Sequence, residues 1–233
     1  MQIVPGFPGY YFVKNINIVN NIIIVYYICI VNYQCMTPNK ELQESRMRGY
    51  FIEATREILK GEGLKALNVR AVAERAGYSY ATLYNYFKDL NELVFICVND
   101  FMLECESFVD DQTRQQQPGR QRLKQRMMAF IRYFTQYPGI FELFFIERMN
   151  SINSQHPTAA AIYHFTDRIT DADLLVMVSE GKADDETAEA IRLSLRNAAT
   201  GMLLFYIHRM QPGGYKDFID SAERQLDFIL GRD

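Results

Sequence analysis

From Met36 to its end the chain repeats its apolar residues at three- and four-residue spacing, and glycines punctuate the repeat. Val69, Val72, Ala73 and Ala76 fill the i, i+3, i+4, i+7 template, and Gly77 follows. That period belongs to a helix with one apolar face and excludes half-buried strands, whose side chains alternate every second residue. The chain is therefore expected to be all-α.

Three helices are expected first. Phe51, Ala54, Thr55, Ile58 and Leu59 lie on one helical face, and Gly61 and Gly63 supply its stop. Asn68 is the expected N-cap of a second helix ending at Gly77, and Ser79 that of a third, very short one with Leu83 and Phe87 on its inner side. Asp89 and Glu92 form a D-x-x-E capping pair that opens the next helix at Leu90. Two helices joined by a glycine turn read as a helix-turn-helix, whose second helix enters the major groove of DNA.

The segment "AGYSYATLYNYFK", residues 76–88, carries four tyrosines and no full charge before Lys88. With Leu83 and Phe87 turned inward, the remaining phenols, hydroxyls and amide are left to face a partner. Such groups donate to phosphate oxygens, and asparagine pairs bidentately with adenine. A short amphipathic helix pair inside an all-α protein is the alternative reading of the same pattern.

Charge agrees with a small head on a larger body. Residues 36–90 hold nine Lys/Arg against seven Asp/Glu, whereas residues 91–233 hold fifteen against twenty-one. Three units are expected: an atypical extension at 1–35, a helix-turn-helix head at 36–90, and a helical body at 91–233. The extension contains no Asp, Glu or Arg and includes "IIIVYYICIV" at 22–31, too short a run to span a bilayer, which needs about 20 residues. The expectation is a start assigned too early, with Met36 opening the protein; a strand-prone or membrane-surface tail is the alternative.

Catalysis is not expected. His156, His164 and His208 are scattered, and no nucleophile elbow, phosphate loop or metal-ligand spacing occurs, so neither a cofactor nor a metal is expected. Cys29, Cys35, Cys97 and Cys105 lack C-x-x-C spacing and read as free thiols, with redox sensing at Cys97 or Cys105 the alternative.

The stretch "GLKALNVRAVAERAGYSYATLYNYFKDLNELV", residues 63–94, resembles the DNA-binding domain of TetR-family transcriptional regulators. The matches fall on Arg70, Ala73, Ala76, Gly77, Ser79, Thr82, Leu83, Tyr84, Phe87, Glu92 and Leu93. The resemblance implies a three-helix head, a C-terminal ligand-binding and dimerising body, and a cytoplasmic regulator. Its expected role is that of a repressor which binds a palindromic double-stranded DNA operator as a homodimer and is released by a small-molecule effector. It also implies that Asn68, Ser79, Thr82, Tyr84 and Lys88 touch phosphate, and that Tyr80, Ala81, Asn85 and Tyr86 reach bases or phosphate. Tyr86 stands where His is usual, Ala81 where Gly is, Tyr78 where a small aliphatic residue is, and Asn91 where Lys is. The last change removes positive charge. An adaptor or ligand sensor of the same fold that does not read DNA is the alternative function.

In the body, breaks are expected at 113–119, 137–139, 153–158, 181–185 and 211–214, giving about six helices. Phe101, Met102, Phe130, Phe134 and Phe145, with Arg132, Glu142 and His164 as polar partners, are the candidate effector residues; a packed core is the alternative for the rings. Ile191, Leu195, Ala198 and Met202 form one apolar stripe and Phe218, Ala222, Leu226 and Ile229 a second. Pairing these stripes with a symmetry mate makes a four-helix dimer interface, and a monomeric core is the competing way to cover them.

Overall fold

The computed structural model describes residues 4–5, 11–12, 38–147, 157–210 and 213–231. In the extension, Val4–Pro5 (β1) pairs antiparallel with Tyr11–Phe12 (β2). The run at 22–31, and with it the expectation about Met36, lies outside the described residues. Every other regular element described is helical.

The head consists of α1 (Pro38–Gly61), a 3-10 turn (Leu64–Ala66), α2 (Val69–Ala76) and α3 (Tyr80–Leu83). Local chemistry sets each boundary. Asn68 accepts from the Ala71 amide at 3.0 Å and begins α2. Gly77 ends it at φ 77°, the left-handed conformation glycine adopts without cost, with its N–H turned back to Ala73 and Glu74. Ser79 accepts from the Thr82 amide at 3.2 Å and begins α3. Asp89 accepts from the Glu92 amide at 3.0 Å, while the Glu92 carboxylate reaches past it to the Lys88 amide at 2.8 Å. The D-x-x-E pair thus caps two orphan donors at the start of α4 (Leu90–Thr113).

These helices close on a core of their own: Phe51, Ala54, Ile58, Val72, Leu83, Phe87 and Leu93. Phe87 sets its ring edge-on to Phe51, centroids 6.2 Å apart, and carries the Arg48 guanidinium 4.2 Å above its face.

The body adds α5 (Arg120–Gln136), α6 (Pro138–Phe145), α7 (Pro157–Tyr163), α8 (Phe165–Ser179), α9 (Asp185–Ile207) and α10 (Tyr215–Leu230). Central α5 packs on α4, α8, α9 and α10. From α4 on, the body has seven helices among the described residues, one more than expected, because the chain turns at His164 between α7 and α8 without glycine or proline.

Two devices join α1 to the body. Arg56 and Lys60 both reach Glu104 on α4 at 2.7 Å, and Lys60 lies 4.9 Å from the centre of the Tyr137 ring. Beside them, Gly139 in α6 meets α1 backbone to backbone: a β-carbon there would stand 2.7 Å from the Leu59 carbonyl oxygen and 3.2 Å from that of Lys60.

The stripes expected to form a dimer interface are already covered by the chain itself. Leu195, Phe218, Ala222 and Leu226 are wholly buried, and Ile191 nearly so, because α9 and α10 turn these faces onto each other and onto α5. Ala198, Met202 and Ile229 are half-buried at the margins. The monomeric core, the competing reading, accounts for these stripes. The outward faces of the same helices carry Leu193, Phe205 and Phe228, the last 83% exposed.

Both described thiols are buried, which argues against the sensing alternative. Burial first, and then the Asp100 charge, push Cys97 up to about 12; burial and the Glu106 and Glu104 charges push Cys105 well above the ordinary thiol range. A rise from 9.0 to about 12 leaves about a thousandfold less thiolate at Cys97, and the thiolate is the nucleophile. Alkylation followed by peptide mapping should therefore label Cys97 and Cys105 only after denaturation. Rapid labelling in the folded protein would contradict this burial.

Candidate nucleic-acid interface

The helix-turn-helix presents a row of neutral donors. Leu83 and Phe87 are buried, and the Asn85, Tyr86 and Phe87 amides turn back to Thr82 and Leu83 at 3.0 to 3.1 Å, so the helical path continues to Phe87. With those two side chains as its inner edge, Tyr80 is left 60% exposed and Tyr84 53% exposed. Asn68, Ser79, Ala81, Asn85 and Lys88 are exposed as well.

Two expected contact residues sit differently. Thr82 is half-buried, its hydroxyl 2.9 Å from that of Ser79, so the pair forms a small hydroxyl cluster at the start of α3. Tyr86 is half-buried because its ring lies against Phe51, centroids 6.4 Å apart, and its carbonyl accepts from Arg48. Its ring props up the head core, and only its edge remains for a partner. Tyr78 divides its surface similarly: its ring stacks on Tyr50 at 6.0 Å and leans on Phe51 at 5.7 Å.

Much of the head's positive charge is engaged within the head. Arg48 is held by Phe87, Tyr86 and Glu92. Arg75 pairs with Glu62 at 2.7 Å and with Glu57 at 3.4 Å, and the Glu62 hydrogen bond is the main reason its guanidinium titrates above its ordinary range. Arg70 and Lys88 are exposed and make no ion pair among the described residues. The outward chemistry is thus mainly phenol, hydroxyl and amide, groups that hydrogen-bond to phosphate and base edges while displacing few counterions.

The residues expected to hold an effector are not gathered in one place. Phe101, Met102, Phe130 and Phe134 are wholly buried in a closely packed aromatic core, where Phe130 and Phe134 meet edge-on at 4.9 Å. Arg132 is exposed, because it lies halfway between two inward-facing residues four apart on α5. His164 is exposed where α8 begins and engages Asp167 at 2.7 Å, while Glu142 and Phe145 are half-buried on α6. A cleft of 410 Å³ opens instead among the ends of α5 and α9 and the start of α10, lined by Thr135, Pro138, Tyr206, Ile207, Arg209 and Tyr215. None of its lining residues was legible as a site from sequence.

The body holds a polar cluster with no sequence signature. Asp173, wholly buried on α8, accepts from the Gly119 amide at 2.8 Å and from Arg122 at 2.7 Å, with Arg126 at 3.8 Å. Arg126 also reaches Asp110 at 2.6 Å and the Ile169 carbonyl at 2.7 Å. The cluster fastens the α4–α5 turn to α8.

Residues 51–95 match the family described as bacterial regulatory proteins, tetR family. Comparison with curated proteins gives no significant match. Among solved structures, the chain is similar to the transcriptional regulator FadR from Bacillus subtilis in complex with stearoyl-CoA. The TM-score there is 0.65 at 14% identity, over 79% of this chain and 98% of that one. It is similar also to RolR in complex with resorcinol, with TM-score 0.55 at 17% identity over 82% and 96% of the two chains. The ketosteroid transcriptional regulator KstR2 of Mycobacterium tuberculosis gives 0.54 at 20% identity over 79% and 93%. Among the described residues no helix is long and apolar enough to cross a membrane.

Proposed function

We propose that this chain, which carries the N-terminal domain of the tetR family on the fold of such regulators, represses transcription as a homodimer and leaves its palindromic operator when a small molecule enters the body. One observation carries the reading: Leu83 and Phe87 hold α3 against its brace so that Tyr80, Tyr84, Asn85 and Ser79 face outward together. That row matches what a DNA duplex offers, phosphate acceptors flanking base edges. Exposed Leu193, Phe205 and Phe228 on α9 and α10 supply the apolar surface for a partner copy. Two heads then meet half-sites about one turn, roughly 34 Å, apart.

The effector of this reading is mainly apolar. It enters the cleft lined by Thr135, Pro138, Tyr206, Ile207 and Tyr215, where Pro138 immediately precedes the Gly139 contact that ties the body to α1. To act at all it must bind the released state more tightly than the DNA-bound one.

Selection of genomic fragments on the immobilised protein tests this function. One palindromic site is the expected recovery, with an affinity that depends on salt less steeply than a Lys-rich head would require. The double substitution Tyr84→Ala, Asn85→Ala should lower operator affinity by about a hundredfold, since each position contributes on the order of 1–3 kcal/mol. Diffuse recovery, or an unaffected double variant, would favour the adaptor reading.

A further inference from the structure

We propose that Arg46 and Tyr50, on the outward face of α1, grip the DNA backbone beside the groove that α3 enters, making α1 a second DNA-contacting element. The inference rests on the DNA-binding reading above and extends it to residues that no feature of the helix-turn-helix pattern marks.

Arg46 and Tyr50 are four residues apart and so share one face of α1, while Phe51 and Ala54 turn inward to the head core. Tyr50 is 52% exposed. Its position is nevertheless fixed, because its ring stacks on Tyr78 at 6.0 Å with an interplanar angle of 30°, and Tyr78 in turn leans on Phe51. Tyr78 immediately precedes Ser79, the cap of α3. Tyr78, Ser79 and Tyr80 are exposed in succession, so exposed residues lead from the start of α3 through Tyr78 to Tyr50 on α1.

The polar groups of this patch are unspent. Among the described residues the Tyr50 and Tyr78 hydroxyls make no hydrogen bond and Arg46 makes no ion pair, whereas Arg48, Arg56 and Arg75 are all engaged by carboxylates. A free guanidinium one helical turn from a fixed, free phenol is a donor set for a phosphate oxygen. Two stacked rings also lose little freedom on binding, which leaves more of the hydrogen-bond energy as affinity. A partner protein or a second copy would cover the rings equally well. Continuity with the α3 face and the unpaired cation favour the DNA backbone.

The test uses the operator fragment recovered by the wild-type protein, full-length variants, and fluorescence anisotropy across a salt series. Tyr50→Phe keeps the stack and removes only the donor; it should weaken binding roughly tenfold per head at an unchanged salt slope. Arg46→Gln should reduce the slope of log affinity against log salt by about 0.9 per head. Both variants binding within twofold of wild type with the slope intact would overturn the proposal. So would a weak Tyr50→Ala beside a normal Tyr50→Phe, which is the signature of packing alone. A Tyr50→Ala variant that changes sedimentation but not operator affinity would assign the patch to a second copy and likewise overturn it. Wild-type protein that retains no specific fragment would instead sink the DNA-binding reading itself, and this proposal with it.

Discussion

Phe87→Ala is expected to destabilise the head by about 3–5 kcal/mol, the usual cost of deleting a buried phenylalanine. The residue is central to the small core shared by Phe51, Ile58, Val72, Leu83 and Leu93, and its ring face seats the Arg48 guanidinium at 4.2 Å. Its loss leaves a cavity where α3 is anchored and frees Arg48 from the Tyr86 carbonyl. Since head and body have separate cores, the head should open first. Circular dichroism should show an early partial loss of helix on heating, with the body melting later. Operator binding should disappear while the body's helices persist. A variant with an unchanged melting curve and native operator affinity would show that Phe87 does not hold α3 in place.

Asp173→Ala should be as costly to the body, about 3–5 kcal/mol, because it removes one side of a buried pair and leaves the other without its counter-charge. Arg122 and the Gly119 amide would both lose their acceptor, and the α4–α5 turn would come loose from α8. Asp173→Asn keeps an acceptor oxygen for the Gly119 amide and should lose less. Chemical denaturation of the three proteins checks the order wild type, Asn, Ala. Equal midpoints would mean that the cluster contributes nothing net.

The head was legible in the sequence because short-range chemistry sets it. Asn68, Ser79 and Asp89 cap helices that start one residue later, and Gly77 takes the left-handed conformation that would strain most other side chains there. The body was legible in its period and not in its partners. Leu195 and Phe218 have the spacing of an interface, yet the same spacing serves a core, and only the packing of α9 and α10 on α5 decides between them. Composition alone groups Arg132 and His164 with Phe130 and Phe134, whereas helical phase carries Arg132 to the surface and the turn between α7 and α8 carries His164 there. Asp173 gave no signal at all: an aspartate with its arginine 51 residues away looks like any solvated pair until the chain folds.

Tyr50 carries no signal in the sequence for a related reason. A lone exposed aromatic on a first helix has no pattern around it, and its meaning comes from the ring of Tyr78 beneath it.

At Gly139 the absence of a side chain lets one helix rest directly on the carbonyl oxygens of another. Side chains are springs with several resting positions and absorb small displacements by changing rotamer; peptide groups have no such slack. A nudge to the first turn of α6 is therefore delivered undamped to the end of α1, as through a bearing with no play. In the proposed mechanism the end of α1 moves with the first turn of α6 because a glycine leaves the two backbones in direct contact.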